Sequence, residues 1–204
     1  MARNKEETKA RILAAVGKLL AESGFRQLGI NAIAREAEVD KVLIYRYFGD
    51  LPALLQAFGK EGNYWISADE LIDNTEAEDC LADGVAKMLI QFLQDLQDRS
   101  ITQEILRWEL LEGNELTQEL AKAREQTAIG CLNFLDQTYS FPPDRDMPAI
   151  TAILIAGIVY LVLRSQVHPT FLGIDLTSPA GWSRIEEAIA SMSRATLGDE
   201  QEFS

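Results

Sequence analysis

The stretch EVDKVLIYRYFGDLPALL, residues 38–55, puts Lys41, Tyr45, Arg46 and Tyr47 close together. Ammonium, guanidinium and phenol groups are hydrogen-bond donors suited to phosphate oxygens and base edges. The surrounding chain is strongly acidic, with a formal net charge of −13 over 204 residues. The charge is unevenly placed: residues 1–50 hold nine Lys/Arg against seven Asp/Glu, and the remainder holds ten against 25. A locally basic end can meet a polyanion while an acidic body points away. Ordinary variation of surface charge gives similar figures, so the asymmetry alone favours nucleic acid only weakly.

For these donors to act together they must share a helix face, and the spacing predicts one. On a helical wheel of about 100° per residue, Ile44 and Phe48 fall on one side, with Val42 and Arg46 opposite. Leu43 and Tyr45 flank the outward side, and Lys41 lies in the first turn. Asp40 is a good N-cap for this third helix, 41–47, and Gly49-Asp50 ends it. Before it, Ile30, Ile33, Ala34 and Ala37 line one side of a short second helix, 30–37. The first helix carries Ile12, Leu13, Val16, Leu19 and Leu20 on one face. Asn4 with Glu7 reads as its capping box, and Gly24 as its stop. Two short helices joined by a tight turn, the second polar on one side, follow the logic of a DNA-reading helix-turn-helix. An ordinary amphipathic surface helix satisfies the same periodicity.

The rest of the chain also reads as helical, with helices near 51–73, 77–98, 101–112, 115–139, 145–167 and 179–197. Asp50 caps the first of these, and Pro52 sits in its first turn, where a missing N–H does no harm. No apolar/polar alternation is long enough to argue for a sheet, so the fold class is all-α with about nine helices. An apolar content of 47% supports a sizeable core. Residues 147–163, MPAITAILIAGIVYLVL, carry no charge and are expected to form a buried helix rather than a membrane span. Cys80 and Cys131 have no Cys/His partner at metal-ligand spacing and read as reduced thiols of a cytoplasmic protein. The charged start, MARNKEETKAR, does not read as a signal peptide. No phosphate loop, HExxH, Cys/His cluster or triad signals an enzyme, a metal or a cofactor. The lone histidine, His168, reads as a loop or cap residue.

Residues 11–55 resemble the N-terminal domain of the TetR (tetracycline repressor) family of bacterial transcription regulators. The shared features are a first helix ending in Gly-Phe, here LLAESGFRQLGI, a short second helix, INAIAREA, and the third helix VDKVLIYRYF. Val39, Asp40, Ile44, Tyr45, Tyr47 and Phe48 match in order and spacing. Three positions depart from the pattern: Glu38 replaces the usual turn glycine, Gly29 replaces a hydroxyl residue, and Leu51 replaces the usual lysine. The resemblance implies a DNA-binding domain over 1–50 and a helical ligand-binding and dimerisation domain over 51–204. Lys41, Val42 and Leu43 then face base edges, Tyr45 and Tyr47 reach phosphates, Arg46 adds charge, and Asn31 contacts phosphate or base.

The resemblance further implies a homodimer through helix 147–163 and the last helix, with Ile158 and Ile189 on the dimer face. It implies a small-molecule effector site among the middle helices, with Phe58, Tyr64, Trp65, Met88, Phe92, Trp108, Phe134 and Tyr160 as candidate liners. The acidic surroundings favour a cationic or neutral amphiphile there, offset by Arg107 or Arg124. Gly59 and Gly62 mark a bend between this site and the reading head. The function so implied is a ligand-responsive dimeric regulator, a repressor released from a pseudo-palindromic operator. An all-helical lipid or small-molecule carrier explains the apolar body equally well, but not residues 38–48.

Overall fold

The computed structural model describes residues 2–24, 27–61, 65–73, 79–111 and 115–198. Ten α-helices and one small hairpin lie among them: α1 (Ala2–Ser23), α2 (Ile30–Glu36), α3 (Lys41–Phe48), α4 (Leu51–Glu61), α5 (Ala68–Asp73), α6 (Leu81–Asp98), α7 (Ser100–Leu111), α8 (Glu115–Tyr139), α9 (Met147–Ser165), β1 (Thr170–Phe171), β2 (Ile174–Asp175) and α10 (Pro179–Leu197). The all-α class holds. The expected helix 51–73 is instead two, because α4 stops at Glu61 and α5 begins at Ala68. The expected break between Gly59 and Gly62 thus coincides with a helix end, and Gly62 itself lies outside the described residues. Helix α1 begins at Ala2, so Asn4 sits inside the first turn and is not the N-cap.

The chain divides into two compact units. The first comprises residues 1–65 and 99–123. Its core is built from Ile12, Val16 and Leu20 of α1, Ile33 of α2, Ile44 of α3, Leu54 and Phe58 of α4, and Ile105 and Trp108 of α7. Helix α1 is the hub, packing on α2, α4 and α7. It ends at Gly24, whose φ of 70° suits a residue without a Cβ.

The second unit comprises residues 66–98 and 124–204. Helix α6 is its centre, buried along Leu81, Val85, Leu89, Phe92, Leu93 and Leu96 and packed on α5, α9 and α10. Gln94 Nε2 donates to Glu186 at 2.8 Å, and Arg194 Nε reaches Asp83 at 3.2 Å, tying α6 to α10. Asp146 caps α9 by accepting from the Ala149 N–H, and Ser178 caps α10 by accepting from that of Gly181. Strands β1 and β2 pair antiparallel, Thr170 with Asp175 and Phe171 with Ile174.

Helix α9 is long and apolar enough by composition to cross a membrane, yet only 22% of it is buried in the chain. This corrects the expectation of a buried helix. The subunit covers Met147, Ile158, Val162 and Leu163, while Ile153 stays 73% exposed and Tyr160 50% exposed. It corrects the choice of dimer-face residues too. Ile158 and Ile189 are each 3% exposed and belong to the core of their own subunit. The open face of the same two helices carries Ile153, Ala156, Gly157 and Tyr160 on α9, and Ala188, Met192 and Ala195 on α10.

Candidate nucleic-acid interface

Carboxylates cap the starts of α3 and α4. Asp40 Oδ1 accepts from the Val42 N–H at 2.9 Å, and Asp50 Oδ1 accepts from the Ala53 N–H at 2.8 Å as α4 begins. Each satisfies an otherwise orphan backbone donor and fixes where its helix starts. Ile44, fully buried, anchors α3 in the core of the first unit, and Tyr47 and Phe48 pack against that core. The side chains left outside are Lys41, Val42, Tyr45 and Arg46, with Val42 60% and Tyr45 51% exposed. Leu43 is half-buried, and Asn31 on α2 is exposed. Of the expected reading residues, Lys41, Val42, Tyr45 and Arg46 on α3 and Asn31 on α2 are thus exposed, while Leu43 and Tyr47 are half-buried.

The turn between α2 and α3 is tied by the Val39 N–H donating to the Ala34 carbonyl at 3.0 Å. Glu38 occupies it with φ of 53°, exposed to solvent. This left-handed conformation is costly for a residue with a Cβ. Gly29 precedes α2 without any side-chain cap.

A cationic cluster surrounds Tyr47. Arg46 Nη2 donates to the Tyr47 hydroxyl at 2.8 Å, and its guanidinium carbon lies 4.8 Å from the ring centroid. Lys5 Nζ, from α1, stands 5.9 Å from the same ring. Lys5 is one of the first-helix cations expected to offset the missing lysine, and the packing of α1 sets it beside Tyr47. Lys18 pairs with Glu36 at 2.6 Å across α1 and α2, and that carboxylate raises its pKa. It is thereby engaged within the protein. Leu51, at the position of the expected lysine, packs against the core.

The candidate effector-site residues come from both units. Phe58, Trp65 and Trp108 belong to the first unit, and Met88, Phe92, Phe134 and Tyr160 to the second. Phe58 and Trp108 share the core around α1. Tyr160 lies half exposed against Phe171 of the hairpin, with ring centroids 5.6 Å apart. Tyr64 lies outside the described residues. Arg107 pairs with Glu104 one turn earlier, and its Nη2 is buried without a partner. Burial lowers its pKa. Both cysteines are free; burial pushes the Cys131 thiol up to about 11, and Cys80 is exposed. No group of three or more metal-ligating residues occurs among the described residues.

The family described as bacterial regulatory proteins, tetR family, matches residues 12–58. The HTH-type transcriptional regulator HbdR of Aromatoleum sp. (strain CIB) is 46% identical over 50 residues, which is 24% of this chain and 22% of that protein. The match thus spans about a fifth of the curated relative. Solved structures share the fold over nearly the whole chain. The transcriptional regulator FadR from Bacillus subtilis, in complex with stearoyl-CoA, has a TM-score of 0.65 at 16% identity, covering 94% of this chain and 99% of that one. NalD of Pseudomonas aeruginosa, the secondary repressor of the MexAB-OprM multidrug efflux pump, has a TM-score of 0.61 at 18% identity, covering 97% and 98%. A TetR-family regulator from Rhodococcus sp. has a TM-score of 0.66 at 20% identity, covering 92% and 99%. Residues 12–58 thus match the helix-turn-helix domain of the tetR family, and the fold of the chain is the one these solved structures share.

Proposed function

We propose that this protein is a homodimeric, effector-released repressor. The observation that carries the reading is the outward face of α3, where Lys41, Val42, Tyr45 and Arg46 are open while Ile44 holds the helix in the core. Lys41 reaches a base edge such as guanine, and Val42 and Leu43 lie against thymine methyls. Tyr45 and Tyr47 donate to phosphates, and Asn31 adds a contact from α2. The Tyr47 hydroxyl already accepts from Arg46, which leaves its own proton for a phosphate oxygen. Arg46 and Lys5 supply the positive charge that a lysine at position 51 would have given.

Two such heads must be about 34–36 Å apart to enter successive major grooves, which a two-fold dimer provides. The open apolar residues of α9, with Ala188, Met192 and Ala195 of α10, supply the pairing surface. The effector is an amphiphile; FadR, which shares the fold, binds one in stearoyl-CoA, an anion and so unlike the cationic or neutral molecule that the acidic surroundings favour. The desolvated Arg107, with a free donor at Nη2, offers a place for an acceptor oxygen. Release requires that the effector bind the DNA-incompetent state better, and its leverage is that affinity difference.

The test is fluorescence anisotropy on duplexes from the DNA flanking the protein's own gene, titrated with salt. Binding should weaken steeply as salt rises, because each phosphate contact releases counterions. Tyr45→Ala should weaken binding across all sequences, and Lys41→Ala should relax preference at one base pair by about 1–3 kcal/mol. Binding unchanged in both variants would overturn the assignment of α3, and a wild type that binds amphiphiles but no duplex would favour the carrier.

A further inference from the structure

We propose that the hairpin Thr170–Asp175 is a clasp that grips a second copy of this chain through Leu172. The inference rests on the dimer reading above and assigns a contact that α9 and α10 alone do not supply. Leu172 and Gly173 form the turn, with φ of 49° and 77°. Two successive positive φ values are the signature of a hairpin turn that favours Asn-Gly, and a leucine in the first place is strained. Leu172 is also 86% exposed. An exposed leucine is ordinary, and so is a strained residue held by its own packing. A leucine that is both strained and uncovered is explained by neither the turn nor the core, and such strain is characteristic of contact sites.

The hairpin is fastened at its base, so the tip is displayed in a set position. Phe171 meets Tyr160 of α9 edge to face, and the Arg164 guanidinium lies 5.0 Å from the Phe171 ring and 5.9 Å from that of Tyr160. The Leu176 N–H donates to the Pro169 carbonyl at 2.8 Å, and Leu176 itself is buried. Through Tyr160 the tip is continuous with the open stripe of Ile153, Ala156 and Gly157. A Cβ added at Gly157 would meet nothing within 4 Å in the chain, so that surface is free for close approach.

The occupant is a second copy because the hairpin, through Phe171 and Tyr160, continues the open α9 face on which the proposed dimer pairs. At a net charge of −13, two chains repel each other over most of their surfaces, and α9 carries no charge from Met147 to Leu163. A two-fold axis through this face gives both copies the same contact, so the two clasps close together.

The test compares the full chain with Leu172→Asn, which suits positive φ, and with Ile153→Glu, by sedimentation velocity over a dilution series. Circular dichroism checks helicity. The expected result is that Leu172→Asn raises the dimer dissociation constant by about tenfold or more with helicity unchanged, while Leu172→Met stays near wild type. An unchanged constant for Leu172→Asn, with Ile153→Glu monomeric, would overturn the clasp and leave the dimer standing. A wild type that is monomeric at micromolar concentration, or unaffected by Ile153→Glu, would overturn the α9 dimer face and the clasp with it.

Discussion

Helix α3 buries one side chain completely, Ile44, and turns Lys41, Val42, Tyr45 and Arg46 to solvent. Helix α9 has no charge between Met147 and Leu163, yet it buries only Met147, Ile158, Val162 and Leu163 in its own subunit. The open face of the first is rich in donors and therefore suits a polyanion. That of the second is apolar and suits another apolar surface, since leaving it in water forfeits the gain of burial. A uniformly apolar helix at a protein surface thus suits an apolar partner, whereas a mixed one suits a polar ligand.

The sharpest break between buried and open faces lies within α9 itself. Ile158→Glu or Ile189→Glu places an unpaired carboxylate among buried side chains and should destabilise the subunit by more than about 4 kcal/mol. Ile153→Glu, on the open face, should change the stability of the folded subunit by no more than about 0.5 kcal/mol. Thermal and urea melts on dilute protein distinguish the two. Equal losses for Ile153 and Ile158 would mean that the open face is already covered within the chain.

A smaller effect tests how α3 is presented. Asp40→Ala removes the acceptor of the Val42 N–H and should cost about 0.5–2 kcal/mol, with operator binding weakened in step. Unchanged urea midpoints would show that Ile44 alone fixes the start of the helix.

Smallest is Glu38→Gly. Relief of a left-handed glutamate, less the added freedom of glycine in the unfolded chain, should raise stability by about 0.5–1 kcal/mol. It also removes a negative charge beside the reading helix. DNA affinity should rise, and most at low salt, where exposed charges are least screened. A loss of stability would mean that the Glu38 side chain secures the turn.

The helix-turn-helix was legible because its signals are local. Asp40 and Asp50 cap helices a few residues away, Gly24 stops α1, and the period of Ile33, Ala34, Ala37 and then Ile44 marks the inward faces. The last helix, expected over 179–197, has those same bounds, set by Ser178 and Pro179 at one end and Gly198 at the other. The gathering of Lys41, Val42, Tyr45 and Arg46 on one exposed side follows from helical spacing alone. Which first-helix cation stands beside Tyr47 was not legible, because Lys5 meets that ring through the packing of α1 and not through any nearby residue.

By itself, then, the sequence determined the helices with periodic faces and strong caps, since both act within a turn or two of chain. Only the tertiary structure decided the rest. A helix apolar on every side has no period from which to read an inward face, so packing on α6 had to choose Ile158 over Ile153. Two-residue strands are too short to alternate, so the hairpin at Thr170–Asp175 has no sequence pattern. The aromatic side chains look alike along the chain. Only their neighbours put Phe58 and Trp108 into the core around α1 and left Tyr160 open beside Phe171.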